Sequence, residues 1–154
     1  MRLTAYTDFS LRVLMYLALH PDPKPTIAEI ARAYAVSKNH LMKVVFELGR
    51  DGFIATVRGK NGGLRLGRPA AEIGLGEVVR RTEPDMALVP CFTPVRAACV
   101  ITPACRLRGV MEEARSAFLD VLDGYTLADL VKDPDALLAL LARSQSVELT
   151  AVDR

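Results

Sequence analysis

Between Thr26 and Leu66 the apolar period of the chain changes once, from helical to alternating, and this ordered change limits the fold more than any other feature. Thr26 and Glu29 have the spacing of a capping box, and Ile27, Ile30 and Ala31 give the helix they open a short apolar face, ending near Ala35. A three- or four-residue turn follows. Ser37 is then the N-cap of a helix from Lys38 to about Arg50, whose inward residues Leu41, Val44, Val45 and Leu48 recur at helical spacing. Its outward face reads Lys38, Asn39, His40, Lys43 and Glu47. Two short helices joined by a tight turn, the second basic on one side, form the helix-turn-helix pattern, whose second helix lies in the major groove. Gly52 closes that helix, Phe53 to Val57 alternates as a strand, and Arg58-Gly59-Lys60-Asn61-Gly62-Gly63 turns into Leu64-Arg65-Leu66. This is a β-hairpin with a basic tip, and a helix-turn-helix followed by such a wing is a winged helix. Gly62 and Gly63 permit backbone N–H groups to approach a phosphate, while Arg58 and Lys60 are placed to enter a minor groove or clamp a backbone. The glycine cluster is not a nucleotide loop, because it lacks the G-x-x-x-x-G-K-S/T spacing and sits inside a hairpin.

The rest of the chain is mainly helical. Residues 4 to 19 carry Phe9, Leu11, Val13, Leu14, Met15, Leu17 and Ala18 without a breaker, which makes a helix apolar on more than one side and buried by two neighbours. Pro21, Pro23 and Pro25 impose a loop. Beyond a linker at Pro69 to Ala71, a short helix from Glu77 to Thr82 ends at Glu83-Pro84. In residues 106 to 124 the apolar residues Leu107, Met111, Ala114, Phe118, Val121 and Tyr125 form a heptad seam, too short for a free coiled coil and suited to packing along a symmetry mate. Thr126 to Leu130 opens another capped helix, and Ala136 to Leu141 is an apolar closing segment. The expected division is a winged helix-turn-helix domain at 1–70, a linker helix and cysteine loop at 71–105, a dimerisation helix with C-terminal helices at 106–145, and a frayed tail at 146–154. The fold class is mainly α with a small β-hairpin wing.

The net charge of +2 conceals a division. Residues 1–68 hold 11 Lys and Arg against 5 Asp and Glu, whereas residues 69–154 hold 9 against 13. A basic half suits a polyanionic partner, since each cation placed on a phosphate releases counterions. A chain of 154 residues, 51% of them hydrophobic, buries enough surface to fold without a metal, so a metal it carries serves function. Arg2, Asp8 and Arg12 interrupt the N-terminal apolar residues, and no apolar run approaches the ~18 residues of a membrane span. A cytoplasmic protein with no membrane partner is expected. No Ser/His/Asp or Cys/His arrangement, phosphate loop or paired carboxylate motif points to an enzyme.

Cys91, Cys99 and Cys105 are separated by seven and five residues, and Pro90, Pro94 and Pro103 keep their segment irregular. Soft thiolates on one loop select zinc, copper(I) or an iron-sulfur cluster, and Arg96 and Arg106 offset the negative charge of bound thiolates. Zinc is disfavoured by the absence of paired C-x-x-C knuckles and of a nearby histidine. Simple buried or redox-labile cysteines are the alternative. Three thiolates leave a four-metal cluster one ligand short, and a carboxylate could fill that corner. Asp8, in Thr7-Asp8-Phe9, opens an apolar helix, where a favourable position against the helix dipole is the plainer account of it.

Five segments carry a family resemblance: Leu3-Thr4-Ala5-Tyr6-Thr7-Asp8, Ser37-Lys38-Asn39-His40-Leu41-Met42-Lys43, Val57 to Leu66, Ile101-Thr102-Pro103-Ala104-Cys105-Arg106-Leu107 and Tyr125-Thr126-Leu127-Ala128-Asp129-Leu130. Over Met1 to about Val131 the chain resembles the NsrR-type nitric-oxide-sensing repressors, within the bacterial winged-helix family that includes the iron-sulfur regulator IscR and the iron regulator RirA. The resemblance implies a homodimeric repressor of nitric-oxide detoxification genes. Its three cysteines would hold a 4Fe-4S cluster, with Asp8 from the partner subunit as fourth ligand and nitric oxide as the effector that releases operator DNA. Ser37, Lys38, Asn39, His40, Lys43, Arg58, Lys60, Gly62 and Gly63 match the DNA-reading elements. In IscR-like relatives a histidine three residues after the last cysteine completes a 2Fe-2S site. Arg108 stands there and cannot ligate iron. The seven-residue gap after Cys91 resembles the RirA-like iron regulators, so an iron-responsive regulator and a metal-free thiol-redox switch stay beside nitric-oxide sensing as alternatives.

Overall fold

A computed structural model of the chain describes residues 2–60, 62–93 and 99–151, with side chains as far as Ala142. Asn61 of the wing tip, and Pro94 and Arg96 of the cysteine loop, lie outside the described residues.

Helix α1 (Ala5–Leu19) opens at Thr4, whose hydroxyl accepts the Thr7 backbone N–H at 3.2 Å. Its buried Val13, Leu14, Tyr16 and Leu17 meet several neighbours, so a helix apolar on more than one side is indeed central. Thr7 and Ser10 are also fully buried, and both are satisfied: the Ser10 hydroxyl donates to the Tyr6 carbonyl at 2.8 Å, and the Thr7 and Thr4 hydroxyls lie 3.1 Å apart.

Helix α2 (Ile27–Ala33) has the expected capping box, with the Thr26 backbone N–H donating to Glu29 at 2.6 Å and the Glu29 N–H donating to the Thr26 hydroxyl at 3.3 Å. It ends two residues before Ala35, which takes φ of 51° in the turn that leads to α3. Helix α3 (Lys38–Arg50) buries Leu41, Val44, Val45 and Leu48, as its spacing requires. Ser37 occupies the N-cap position with extended backbone, although its side chain makes no capping hydrogen bond.

Strands β1 (Ile54–Val57) and β2 (Gly63–Leu66) pair antiparallel, from Ile54 opposite Leu66 to Val57 opposite Gly63. Phe53, expected to begin the strand, instead drives its ring into the core, 1% exposed beneath the Arg68 guanidinium. Full burial of side chains such as Phe53, Leu14, Ile30, Leu41 and Leu48 supplies about 1.5–3 kcal/mol each before entropy is counted.

Helix α4 (Leu75–Thr82) begins two residues before Glu77 and is followed by α5 (Arg106–Asp123), α6 (Leu127–Leu130) and α7 (Pro134–Ala151). Regular helix therefore runs into the 146–154 segment that the sequence suggests is frayed. Ile73, Val78 and Leu127 belong to the same buried cluster as Val13, Leu14, Leu41 and Leu48, so the core continues across residue 70. Backbone bonds from Leu127 to Ile73 (2.8 Å) and from Leu75 to Tyr125 (3.0 Å) stitch the α5–α6 corner to the start of α4. A bidentate Arg80–Asp123 pair, with both contacts at 2.6 Å, closes the same corner. Helix α5 itself buries no residue, and Leu107, Val110 and Val121 are each more than half exposed. Among the described residues, no helix is long and apolar enough to cross a membrane.

Candidate nucleic-acid interface and metal centre

The reading face is built by α3 and the wing. With its four apolar residues turned into the core, α3 leaves Ser37, Lys38, Asn39, His40 and Lys43 exposed. The His40 ring stacks on Phe9 of α1, with centroids 6.3 Å apart, which leans it toward that helix. At the far end, Glu47 ion-pairs with Arg50, so positive charge concentrates in the first half of the helix. Two apolar residues on this face were missed by reading only its polar positions: Met42 is 46% and Phe46 is 68% exposed. Their helical phase alone, one and two steps off the buried stripe, would have identified them.

In the wing, Arg58 and Lys60 are exposed, and neither pairs with a carboxylate among the described residues. The two glycines behave differently from the expectation that their backbone is open to phosphate. The Gly62 N–H already donates to the Gly59 carbonyl at 2.9 Å, and a Cβ at Gly62 would lie 2.4 Å from the Val57 carbonyl oxygen. At Gly63 a Cβ would lie 2.5 Å from the Lys24 carbonyl oxygen, where β2 docks on the proline loop through the Leu64 N–H to Pro25 O bond of 2.9 Å. Close packing of the hairpin thus accounts for both residues.

Asp8 stands in the first turn of α1, and its carboxylate is engaged by Arg12 one turn on, at 3.0 Å. Both side chains are about half exposed, at 43% for Arg12 and 46% for Asp8, which makes the pair a weak and exchangeable one. Arg12 also lies over the Tyr34 ring, 5.8 Å from its centroid, and burial pushes the Tyr34 phenol up to about 12. The start of α1 is tied to the end of α4, since the Thr4 N–H and hydroxyl donate to Glu83 at 2.8 and 3.1 Å. The chain runs on from Glu83 into the cysteine segment.

Cys91 lies in a 3-10 turn at Pro90–Phe92, and Phe92 packs under the Arg115 guanidinium of α5 at 5.1 Å. The Cys99 carbonyl accepts the Thr102 N–H at 3.0 Å, and after the turn at Thr102–Ala104, Cys105 becomes the N-cap of α5. All three cysteines are free, with Cys99 exposed and the others half-buried. Among the described residues of the single chain, they are not assembled with one another or with Asp8 into a metal-holding group. The surroundings nevertheless fit an anionic iron-sulfur group. Phe92, Thr102, Cys105, Arg106 and Arg108 border an open cleft of about 730 Å³ at the positive end of the α5 dipole, where Arg115 is paired with Glu112. Among the described residues, the buried Thr102 hydroxyl on this cleft has no hydrogen-bond partner.

A helix-turn-helix with a basic reading helix and a basic wing defines a DNA-binding transcriptional regulator of the winged-helix class. The chain belongs to the Rrf2 family of iron-dependent transcriptional regulators, whose family model matches residues 3–133. It is 52% identical over 142 residues to the HTH-type transcriptional regulator NsrR of Geobacillus kaustophilus, covering 92% of this chain and 97% of that protein. Against NsrR of Bacillus subtilis the identity is 51% over 142 residues, with the same coverage. The solved structure of CymR, the global cysteine regulator of B. subtilis, superposes with a TM-score of 0.72 at 24% identity, over 86% of this chain and 97% of that one, which establishes the shared fold. The relatives are named as regulators, and the protein is a transcription factor rather than an enzyme.

Proposed function

We propose that the protein is a cytoplasmic, homodimeric repressor that binds double-stranded operator DNA ahead of nitric-oxide detoxification genes and releases it in response to nitric oxide. The observation that carries this reading is Cys105 on an arginine-rich cleft, with Cys91 and Cys99 also free, on a winged-helix chain about half identical to NsrR regulators along nearly all its length. Cys91, Cys99 and Cys105 of one subunit, with Asp8 of the partner subunit, would hold a 4Fe-4S cluster. When bound, the cluster supplies iron that reacts with nitric oxide.

The chain's own residues provide the rest. Arg106 and Arg108 offset the charge of the thiolates, and the Thr102 hydroxyl is free to donate to a sulfur. Asp8 faces a choice, because an oxygen given to iron is taken from Arg12, which holds the carboxylate in the single chain. Helix α1 packs on α3, so whatever holds Asp8 bears on the position of the reading helix. In the groove, Ser37, Asn39 and His40 approach base edges, while Lys38, Lys43, Arg58 and Lys60 take phosphates.

Iron responsiveness is the second reading, favoured by the family's description as iron-dependent and by the seven-residue gap between Cys91 and Cys99. An anaerobic absorption spectrum of the purified dimer, with iron and sulfide analysis and stepwise nitric oxide, tests both. About four irons per subunit and a visible band that collapses on nitric oxide support the proposal. A band that survives nitric oxide but is lost to a chelator together with DNA binding favours iron sensing. A colourless protein that cannot be reconstituted leaves a thiol switch.

A further inference from the structure

The outer face of α3 carries an apolar strip that the positions assigned to DNA contact do not use. At about 100° per residue, the direction opposite Leu41, Val44, Val45 and Leu48 falls between Asn39 and Arg50, with Phe46 and Lys43 about 30° to either side. Phe46 therefore lies well within the exposed face, 68% exposed, and Met42 lies one turn before it, 46% exposed. Neither is among the residues packed against the core. Placing a phenylalanine in water at that point gains little for folding, since the ring stands outside the core cluster of the described residues.

The surroundings identify its partner. Lys38, Lys43, Arg58 and Lys60 are exposed cations on the same reading surface, so the strip lies inside a basic frame that fits a polyanion. The apolar group that the major groove presents at base edges is the thymine C5-methyl, and apolar side chains read it by contact. Resting on the reading above, in which α3 enters the major groove, we infer that Phe46, assisted by Met42, is a specificity-determining residue that selects thymine through its methyl group. Asn39 and Phe46 are seven residues apart, about 10.5 Å along the helix or about three base-pair steps, so an adenine read by Asn39 and a thymine read by Phe46 are separated by about that distance in each half-site.

The test uses the full-length, cluster-loaded protein. Duplexes selected from a random pool give its preferred sequence, and each thymine of that sequence is then replaced in turn by deoxyuridine, which removes only the methyl group. Affinities are compared for the wild type, Phe46→Ala, Phe46→Leu and Lys43→Ala, with circular dichroism to verify that each variant is folded. One thymine per half-site should lose about fourfold in affinity on becoming uracil, the effect of one buried methyl. Phe46→Ala should abolish that penalty, Phe46→Leu should keep part of it, and Lys43→Ala should weaken both duplexes equally. The inference is overturned if Phe46→Ala retains every penalty or if no thymine shows one while selection still yields a defined sequence. If the wild type selects no sequence at all, the DNA-reading function falls, and the role of Phe46 with it.

Discussion

Removing Lys43 and Lys60 together should change how DNA binding depends on salt more than it changes which DNA is bound. The reading surface offers Lys38 and Lys43 from α3 and Arg58 and Lys60 from the wing, all exposed and none in an ion pair with a carboxylate among the described residues. A dimer then brings about eight cations to phosphate, and with about 0.9 counterion released per contact, log K should fall with log salt at a slope of about −7. The double variant loses about four of those contacts, and its slope should be about −3.6. Between about 50 and 200 mM salt the wild type should lose about 10⁴-fold in affinity and the variant about 10²-fold. Fluorescence anisotropy with a labelled operator across that range measures both slopes. Preference for operator over unrelated duplex should be nearly unchanged, because phosphate contacts position the protein and carry no sequence information. An unchanged slope in the double variant would show that these two lysines do not lie on the DNA, and the assignment of α3 and the wing as the interface would fail.

Three further outcomes follow from particular contacts. Asp8→Ala retains all three thiols but removes the carboxylate proposed as the fourth cluster ligand, and operator binding by the cluster-loaded protein should weaken; unchanged binding in a gel-shift titration would detach Asp8 from the switch. Thr26→Ala removes the capping box of α2 and should cost about 1 kcal/mol in denaturant unfolding. The Thr26 backbone N–H and hydroxyl hold Glu29 below its ordinary value of 4.5, so that contribution is present above this pH and is lost as pH falls through the lower folded value; the hydroxyl's share is missing in Thr26→Ala, so the gap between the two stability curves should narrow there. Burial pushes Tyr34 from 10 up to about 12, so the folded state favours the neutral phenol, and its contribution is present below pH 10 and lost as pH rises toward about 12. Ultraviolet titration should show a tyrosine that ionises toward about pH 12 in the wild type and is absent from Tyr34→Phe, beside Tyr6, which burial also raises above 10.

Much of the fold can be read from local signals. Thr26 and Glu29, the apolar spacing of α3, Gly52 and the alternation into the wing are each decided within a few residues, and the structure follows them closely. Long-range packing is what the chain order conceals. Phe53 looks like the first residue of a strand, yet its ring belongs to the core. Ile73 and Leu127 are 54 positions apart and join one cluster with α1, so the core crosses the expected boundary at residue 70. Gly62 and Gly63 look like phosphate-binding positions because a glycine's small size serves both a ligand and a neighbouring backbone, and here Val57 and Lys24 occupy the space. Phe46 and Met42 are apolar, so polarity does not mark them as outward and only helical phase places them on the exposed face. The cysteines are legible as a set, but the proposed meeting with Asp8 would need a second subunit, and no property of one chain's order gives the geometry between two.

The most direct test of the central claim is operator affinity measured anaerobically on one sample of cluster-loaded dimer, before and after nitric oxide, with the absorption spectrum recorded in the same cuvette. Binding should be tight at first and lost in step with the collapse of the visible band. Equal affinity before and after that collapse, or equal affinity in protein that never held iron, would contradict it.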